Sequence, residues 1–423
     1  MEGSRVHPTD PTREPEARLS ASLPWMNGQG PSPAPGGTRP PSGGGPAEGI
    51  FGPSDLIHAD KVASAEKTST YDSPSEGIAE RLERYSPARK RAAGMRDYLA
   101  ELAALGHLLP AHLGNRADVE YRAGKLERCG CWLLLRDYFT LGQTRLVDGR
   151  FCNQPLLCPL CAIRRGSKLL RAYVEKLATV LYECQGRYGA FLITLTVRDG
   201  VDLGERFKHL RRSLWVLNER RRKFQNRQSK QWTEAARALA GVGFLEFKRG
   251  RGSGQWHPHY HGGWVCSEAP DAAALSREWL AITGDSFIVD VRPFRSMGQL
   301  GGCPTAEWPQ LLASDFVELA KYALKFSDLS LADNWEAFRL LSGRRLVDAF
   351  GWLRGVEVDP SLTDEPVEDG DAPYFEILAR HLAGSYVQSS RRLVMPEDER
   401  AAAVELDAGQ AAAVAAAEVS FFR

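Results

Sequence analysis

The sequence predicts an α+β protein built on a four-stranded antiparallel sheet. Three observations carry that expectation. Between residues 190 and 327 the periodicities follow the order β-α-β-β-α-β-α. The run AFLITLTV (190–197) is apolar and β-branched enough for a central strand. The stretch QWHPHYHGGWV (255–265) places His257, His259 and His261 at alternate positions in a chain with only nine histidines. The order is the ferredoxin-like split βαβ arrangement with one additional helix, its helices on one face, and it sets the histidine strand beside 190–197 in mid-sheet.

Each element follows from composition or period. Residues 1–50 hold 10 Pro and 9 Gly with almost no apolar periodicity, so 1–78 reads as disordered. From Glu80 strong helix formers take over, interrupted by Pro87, and 79–185 reads as a helical, cysteine-rich segment ending in a helix over 164–183. A basic helical stretch spans 203–239. A strand over 242–247, the turn RGRGSGQ and the histidine strand form a hairpin. A helix over 270–282, a strand over 286–291 and a helix over 314–326, with Ser314 as N-cap, close a domain over 186–330. Residues 331–423 read as a C-terminal helical region. It contains a solvated linker with seven carboxylates and no Lys or Arg (356–373), a helix over 374–383 and an Ala-rich tail from 397.

Composition narrows the classes. No apolar run approaches the ~18 residues needed to span a bilayer, and no secretory signal is evident, so a cytoplasmic protein without a membrane partner is expected. Net charge is +1, which says little by itself. Eight cysteines in such a protein suggest metal ligation before disulfides, and five crowd into 129–161. Among them Cys158-Pro-Leu-Cys161 offers two thiolates at a tetrahedral bite, with Cys129 and Cys152 completing a structural Zn²⁺ site and Cys131 as substitute for Cys129.

Alternate histidines project from one strand face and can converge on a metal. His257, His259 and His261, with Glu246 on the hairpin partner, are the candidate ligands, and two imidazoles with a carboxylate suit Mg²⁺ or Mn²⁺. Between 205 and 230 ten Lys or Arg face two Glu, including Arg211, Arg212, Arg220, Arg221, Arg222 and Lys223. Trp215, Phe224 and Trp232 are interleaved, a pattern suited to phosphates and unpaired bases. Arg164, Arg165 and Lys168 form a second basic patch.

The HPHYH triplet, the preceding FLITLTV strand, the helix bearing ELAKYALK (318–325) and the upstream cysteines together resemble the replication initiators of rolling-circle plasmids, within the HUH endonuclease superfamily. The resemblance covers 129–325 and departs at Gly262 and Gly263, which replace larger apolar residues. It implies metal-dependent nicking and rejoining of single-stranded or hairpin origin DNA, with host helicase and polymerase as partners. It matches His259 and His261 to the superfamily's two histidines, leaving His257 and Glu246 to compete for third ligand, and maps Tyr322 onto the attacking tyrosine, flanked by Lys321 and Lys325, which would stabilise a phenolate whose free pKa is ~10. It makes Glu318, one turn back, the general base that ends replication. Two alternatives stay open: an HUH-type transposase or relaxase, and a non-catalytic zinc-containing single-stranded DNA-binding regulator.

Overall fold

A computed structural model describes residues 76–184, 187–323, 329–368 and 372–395, without the side chains of 318 and 320–323. Helices α1 (Ile78–Ala104) and α2 (Arg116–Arg128) lead into strands β1 (Trp132–Tyr138) and β2 (Gln143–Gly149), then α3 (Pro159–Glu183). There follow β3 (Gly189–Thr196), α4 (Leu203–Gln225), β4 (Ala238–Arg249), β5 (Trp256–Cys266), α5 (Ala272–Thr283) and β6 (Val289–Pro293). The remainder is α6 (Met297–Leu300), α7 (Trp308–Ala323), α8 (Leu331–Leu341), β7 (Val347–Phe350), β8 (Tyr374–Leu382) and β9 (Ser385–Val394). The result is mixed helix and antiparallel sheet, as expected in outline.

Two sheets are present among the described residues, in the orders β6-β3-β5-β4-β7 and β2-β1-β8-β9. The histidine strand β5 pairs on one side with β3 and on the other with β4, so it has no free edge. The sheet has five strands rather than four, because β7 pairs antiparallel with β4 along Gly241 to Phe244. Its helices lie on both faces rather than one. Leu210, Leu214 and Leu217 of α4 and Trp279 of α5 share a core with Tyr260, Trp264 and Leu245. Leu170 and Leu177 of α3 and Leu312, Phe316 and Leu319 of α7 share another with Val242, Phe244 and Val265. Alternation along each strand separates the two cores.

Several sequence expectations are corrected here. Helix α4 stops at Gln225, with Arg227 in the left-handed region, and the Gln225 amide then donates to the carbonyls of Ala236 and Ala238. Helix formers in 234–240 are overridden by pairing of Ala238 onward with β5. Helix α7 begins at Trp308, so Ser314 is not its cap; its hydroxyl donates to the Leu311 carbonyl. The predicted strand over 286–291 begins at Val289.

The C-terminal region is not helical where it was expected to be. Residues 374–382 form β8, sandwiched between β1 and β9, and the segment expected to be helical and cysteine-rich, 79–185, also supplies β1 and β2 between Cys131 and Cys152. Described residues of the 79–185 and 331–423 segments therefore share one sheet, through β1, β8 and β9. Both 1–75 and the Ala-rich tail lie outside the described residues.

Nor is 359–365, within the segment expected to be a solvated linker, open to solvent throughout. Asp364 is almost fully buried and pairs with Arg81 (2.6 Å) and Arg164 (2.5 Å), while Asp359 and Glu365 grip Lys168 (2.9 and 2.6 Å). Leu362 joins the core of α1, α2 and the cysteines. The supposed second basic patch is consumed by this strap: Arg164 is 1% exposed, Lys168 6%, and Arg165 donates to the Asp359 carbonyl.

Candidate functional site

The register of β3, β5 and β4 puts Thr196, His259 and Glu246 in one row and Thr194 and His261 in the next. All project toward the α3 and α7 side, since Tyr260 and Trp264 pack on the other. His261 Nε2 lies 3.1 Å from a Glu246 carboxylate oxygen, and its Nδ1 lies 3.2 Å from Thr194 Oγ1. Those two contacts fix the ring plane between a carboxylate and a hydroxyl.

His259 is the informative member. It is 7% exposed, and neither ring nitrogen has a hydrogen-bond partner among the described residues. Burial, with help from Lys248, His257 and His261, pushes its pKa down to about 2, so the ring is neutral at any physiological pH. A buried polar atom without a partner costs on the order of 1–3 kcal/mol, so an imidazole with two such atoms fits a ligand held ready for an ion. Candidate ligand atoms of Glu246, His259 and His261 all lie within 4.8 Å of one another. Two imidazoles and a carboxylate are a donor set for a divalent cation with open positions.

Of the two candidates for third ligand, Glu246 is the one grouped with His259 and His261. His257 Nδ1 is engaged by Asp199, which also accepts from Ser253 (2.5 Å), and the His257 ring meets His259 edge-on at 4.1 Å. Lys248, opposite His257, approaches Glu246 at 3.8 Å and is 45% exposed.

The departure at Gly262 and Gly263 has a packing cause. A Cβ at Gly263 would come within 2.9 Å of Leu319, so its absence lets α7 sit directly on the histidine strand. On the opposite face the Tyr260 ring covers Gly262 and Gly243, where Cβ atoms would overlap it at 2.6 and 1.9 Å. Burial pushes the Tyr260 phenol up to about 12, and its oxygen accepts from Trp264 Nε1 (3.0 Å). This tyrosine is structural.

Helix α7 is held from its middle. Asp315, 3% exposed, accepts from the backbone N–H of Arg295 and Ser296 and from the Ser296 hydroxyl (3.1, 3.0 and 2.6 Å). Position 322 follows Leu319 by one helical turn, which puts its backbone on the helix that crosses the histidine strand. The side chains of Glu318, Lys321 and Tyr322 lie outside the described residues, as does all of Lys325.

Cys129, Cys152, Cys158 and Cys161 form a second, buried cluster, with sulfurs 3.5–3.6 Å apart in three of the pairs. Four thiolates around a tetrahedral Zn²⁺ at ~2.3 Å would sit ~3.8 Å apart, so the group could hold such a metal with little movement. Hydrogen bonds from Cys129, Cys152 and Cys158 hold the Cys161 thiol well below its ordinary range. Cys131 is not part of the group.

The basic helix lies across the sheet from the histidines. Many of its cations are engaged: Arg211 with Asp348, Arg220 with Glu278 (3.9 Å), and Arg222 with Glu219. Arg221 lies over the Phe350 ring at 4.0 Å, and burial lowers its guanidinium to about 10. Arg212 and Lys223 are exposed. Thr194, Asp199 and Lys248 escaped sequence reasoning; only their strand-parity relation to the histidines could have signalled Thr194 and Lys248.

Comparison with family models, with curated proteins and with solved structures found no match to this chain.

Proposed function

We propose that this protein is a rolling-circle plasmid replication initiator of the HUH endonuclease type. The observation that carries the reading is His259, neutral, buried and without a partner, grouped with His261 and Glu246 beneath the helix that carries Tyr322. The strand succession β6-β3-β5-β4, expected of a split βαβ unit, supports a ferredoxin-like HUH domain.

Glu246, His259 and His261 would hold the ion. When bound, Mg²⁺ or Mn²⁺ offsets charge that builds on the scissile phosphate. The Tyr322 oxygen attacks phosphorus, forming a tyrosine–phosphate bond to the 5′ side as the bond to the 3′ oxygen breaks. The phenol proton leaves with a base and the 3′ oxygen gains one, so no oxidant or cofactor turnover is needed. Lys321 and Lys325 stabilise the phenolate. The freed 3′ hydroxyl primes host polymerase while helicase opens the duplex, and Glu318 activates the nucleophile that ends the round. The four cysteines hold a structural Zn²⁺, and the exposed cations of α4 meet phosphate.

The test is incubation with single-stranded DNA from the replicon encoding the protein, with Mn²⁺, reading covalent adduct on a denaturing gel. Adduct is expected from the parent and not from Tyr322→Phe or His259→Ala. Adduct formed at the parental rate by Tyr322→Phe would remove the proposed nucleophile, and no adduct with any divalent metal would favour the non-catalytic DNA-binding reading.

A further inference from the structure

The outward face of α4 carries something folding does not explain. Leu210, Ser213, Leu214 and Leu217 are buried against the sheet, so the stripe Lys208, Arg212, Trp215, Glu219 and Arg222 points to solvent. At its centre Trp215 is 63% exposed, one turn from Arg212 and two turns from Arg222. Beyond the helix end Trp232 is 53% exposed, fixed edge-on by Phe224 (5.0 Å, 88°) and backed by Arg237 at 5.4 Å from its centroid. Two indoles are thus presented to water, with exposed Arg212 and Lys223 spanning roughly 16 Å of helix between and beside them.

We infer that α4 and the 226–232 turn form a second, metal-independent surface for single-stranded nucleic acid, on the sheet face opposite His259. The inference rests on the reading above only in taking single-stranded DNA as the ligand. The cations complement a phosphate backbone, and the indoles offer π-faces to unpaired bases, which a duplex keeps stacked within itself. Because α4 packs on the Tyr260 and Trp264 side while the histidines face α7, a strand on this surface is not the strand at the cation site. It is a flanking length of the same DNA, held while the cleavage site is engaged elsewhere.

The experiment uses full-length His259→Ala protein with no added Mg²⁺ or Mn²⁺ and no chelator, so that binding is read without adduct and with any cysteine-bound Zn²⁺ left in place, and titrates labelled oligothymidylate by anisotropy. Saturable binding is expected, with quenched tryptophan fluorescence. Trp215→Ala should weaken it roughly tenfold and Trp215→Phe should restore most of it. Joint Arg212→Ala and Lys223→Ala should lower the salt slope of log K by about 1.4, at ~0.7 per phosphate contact. Unchanged affinity in Trp215→Ala, equal competition by duplex DNA, or no binding at all would overturn the inference. The covalent-adduct assay on the parent is scored separately, so failure of nicking and failure of this surface are told apart.

Discussion

Asp364→Asn is the substitution that most directly tests how the acidic strap holds the protein together. The carboxylate is 10% exposed and sits between two guanidinium groups that are each 1% exposed, at 2.6 Å from Arg81 and 2.5 Å from Arg164, while also accepting from the Leu146 N–H (2.7 Å). Burial alone would raise its pKa, but Arg164 and Arg81 outweigh that and hold it well below the usual carboxylate range. Asparagine keeps the shape and removes the charge that faces both guanidinium groups, while Arg164 still donates to the Leu362 carbonyl and the Tyr85 hydroxyl. Removing one partner of a buried pair costs about 3–5 kcal/mol, and this carboxylate serves two. The folded-state pKa is depressed, so its stabilisation is fully present above the unfolded value of ~3.9 and is lost as pH falls through the folded one. Equilibrium urea unfolding at pH 7 should show the variant less stable by about 3–5 kcal/mol. Repeated at pH 3, below the unfolded value but still above the folded one, the gap should have begun to narrow, and it closes only as pH falls through the folded value. A loss below ~1 kcal/mol at pH 7, or an equal gap at both pH values, would refute the reasoning.

Other outcomes follow from the two metal-ligand clusters and the helix contact. Mn²⁺ at about 100 times its dissociation constant should raise the parent's stability by ~2.7 kcal/mol in a thermal shift, and His259→Ala should abolish the shift. Metal analysis of freshly reduced protein should find one Zn²⁺, retained by Cys131→Ser and lost by Cys158→Ser, which should also unfold more readily. Gly263→Ala should cost about 1–3 kcal/mol by pressing on Leu319, and should slow adduct formation more than it lowers DNA affinity. Glu318→Ala should nick normally but accumulate unreleased covalent product, as time courses of adduct and released DNA would show.

The parts legible in the sequence are those where one period dominates. AFLITLTV and the β4–β5 hairpin could only be strands, and alternate histidines inevitably share a face. The four cysteines were legible because a Cys-x-x-Cys turn restricts where the other two sulfurs must come from. Residues 374–382 misled because YFEILARHL spaces its apolar residues for a helix as well as a strand, and only β1, far away in sequence, decides between them. The strap misled for a related reason: Asp359, Asp364 and Glu365 look solvated until Arg81, Arg164 and Lys168, all distant in sequence, are brought beneath them. Whether a cation meets solvent or a carboxylate is a tertiary fact, which is why Arg211 and Arg220, paired with Asp348 and Glu278, look free in the sequence.

Pairing of Trp132 with Arg380 has a consequence for the order of events during synthesis. The sheet flanking the cysteine cluster needs β8, so the four thiols must wait for roughly 220 further residues to leave the ribosome. At ~5–20 residues per second that is on the order of 10–45 s in which the sulfurs are made but their sheet is not. Metal supply and thiol reduction over that interval would then bear on how much newborn chain reaches the native state.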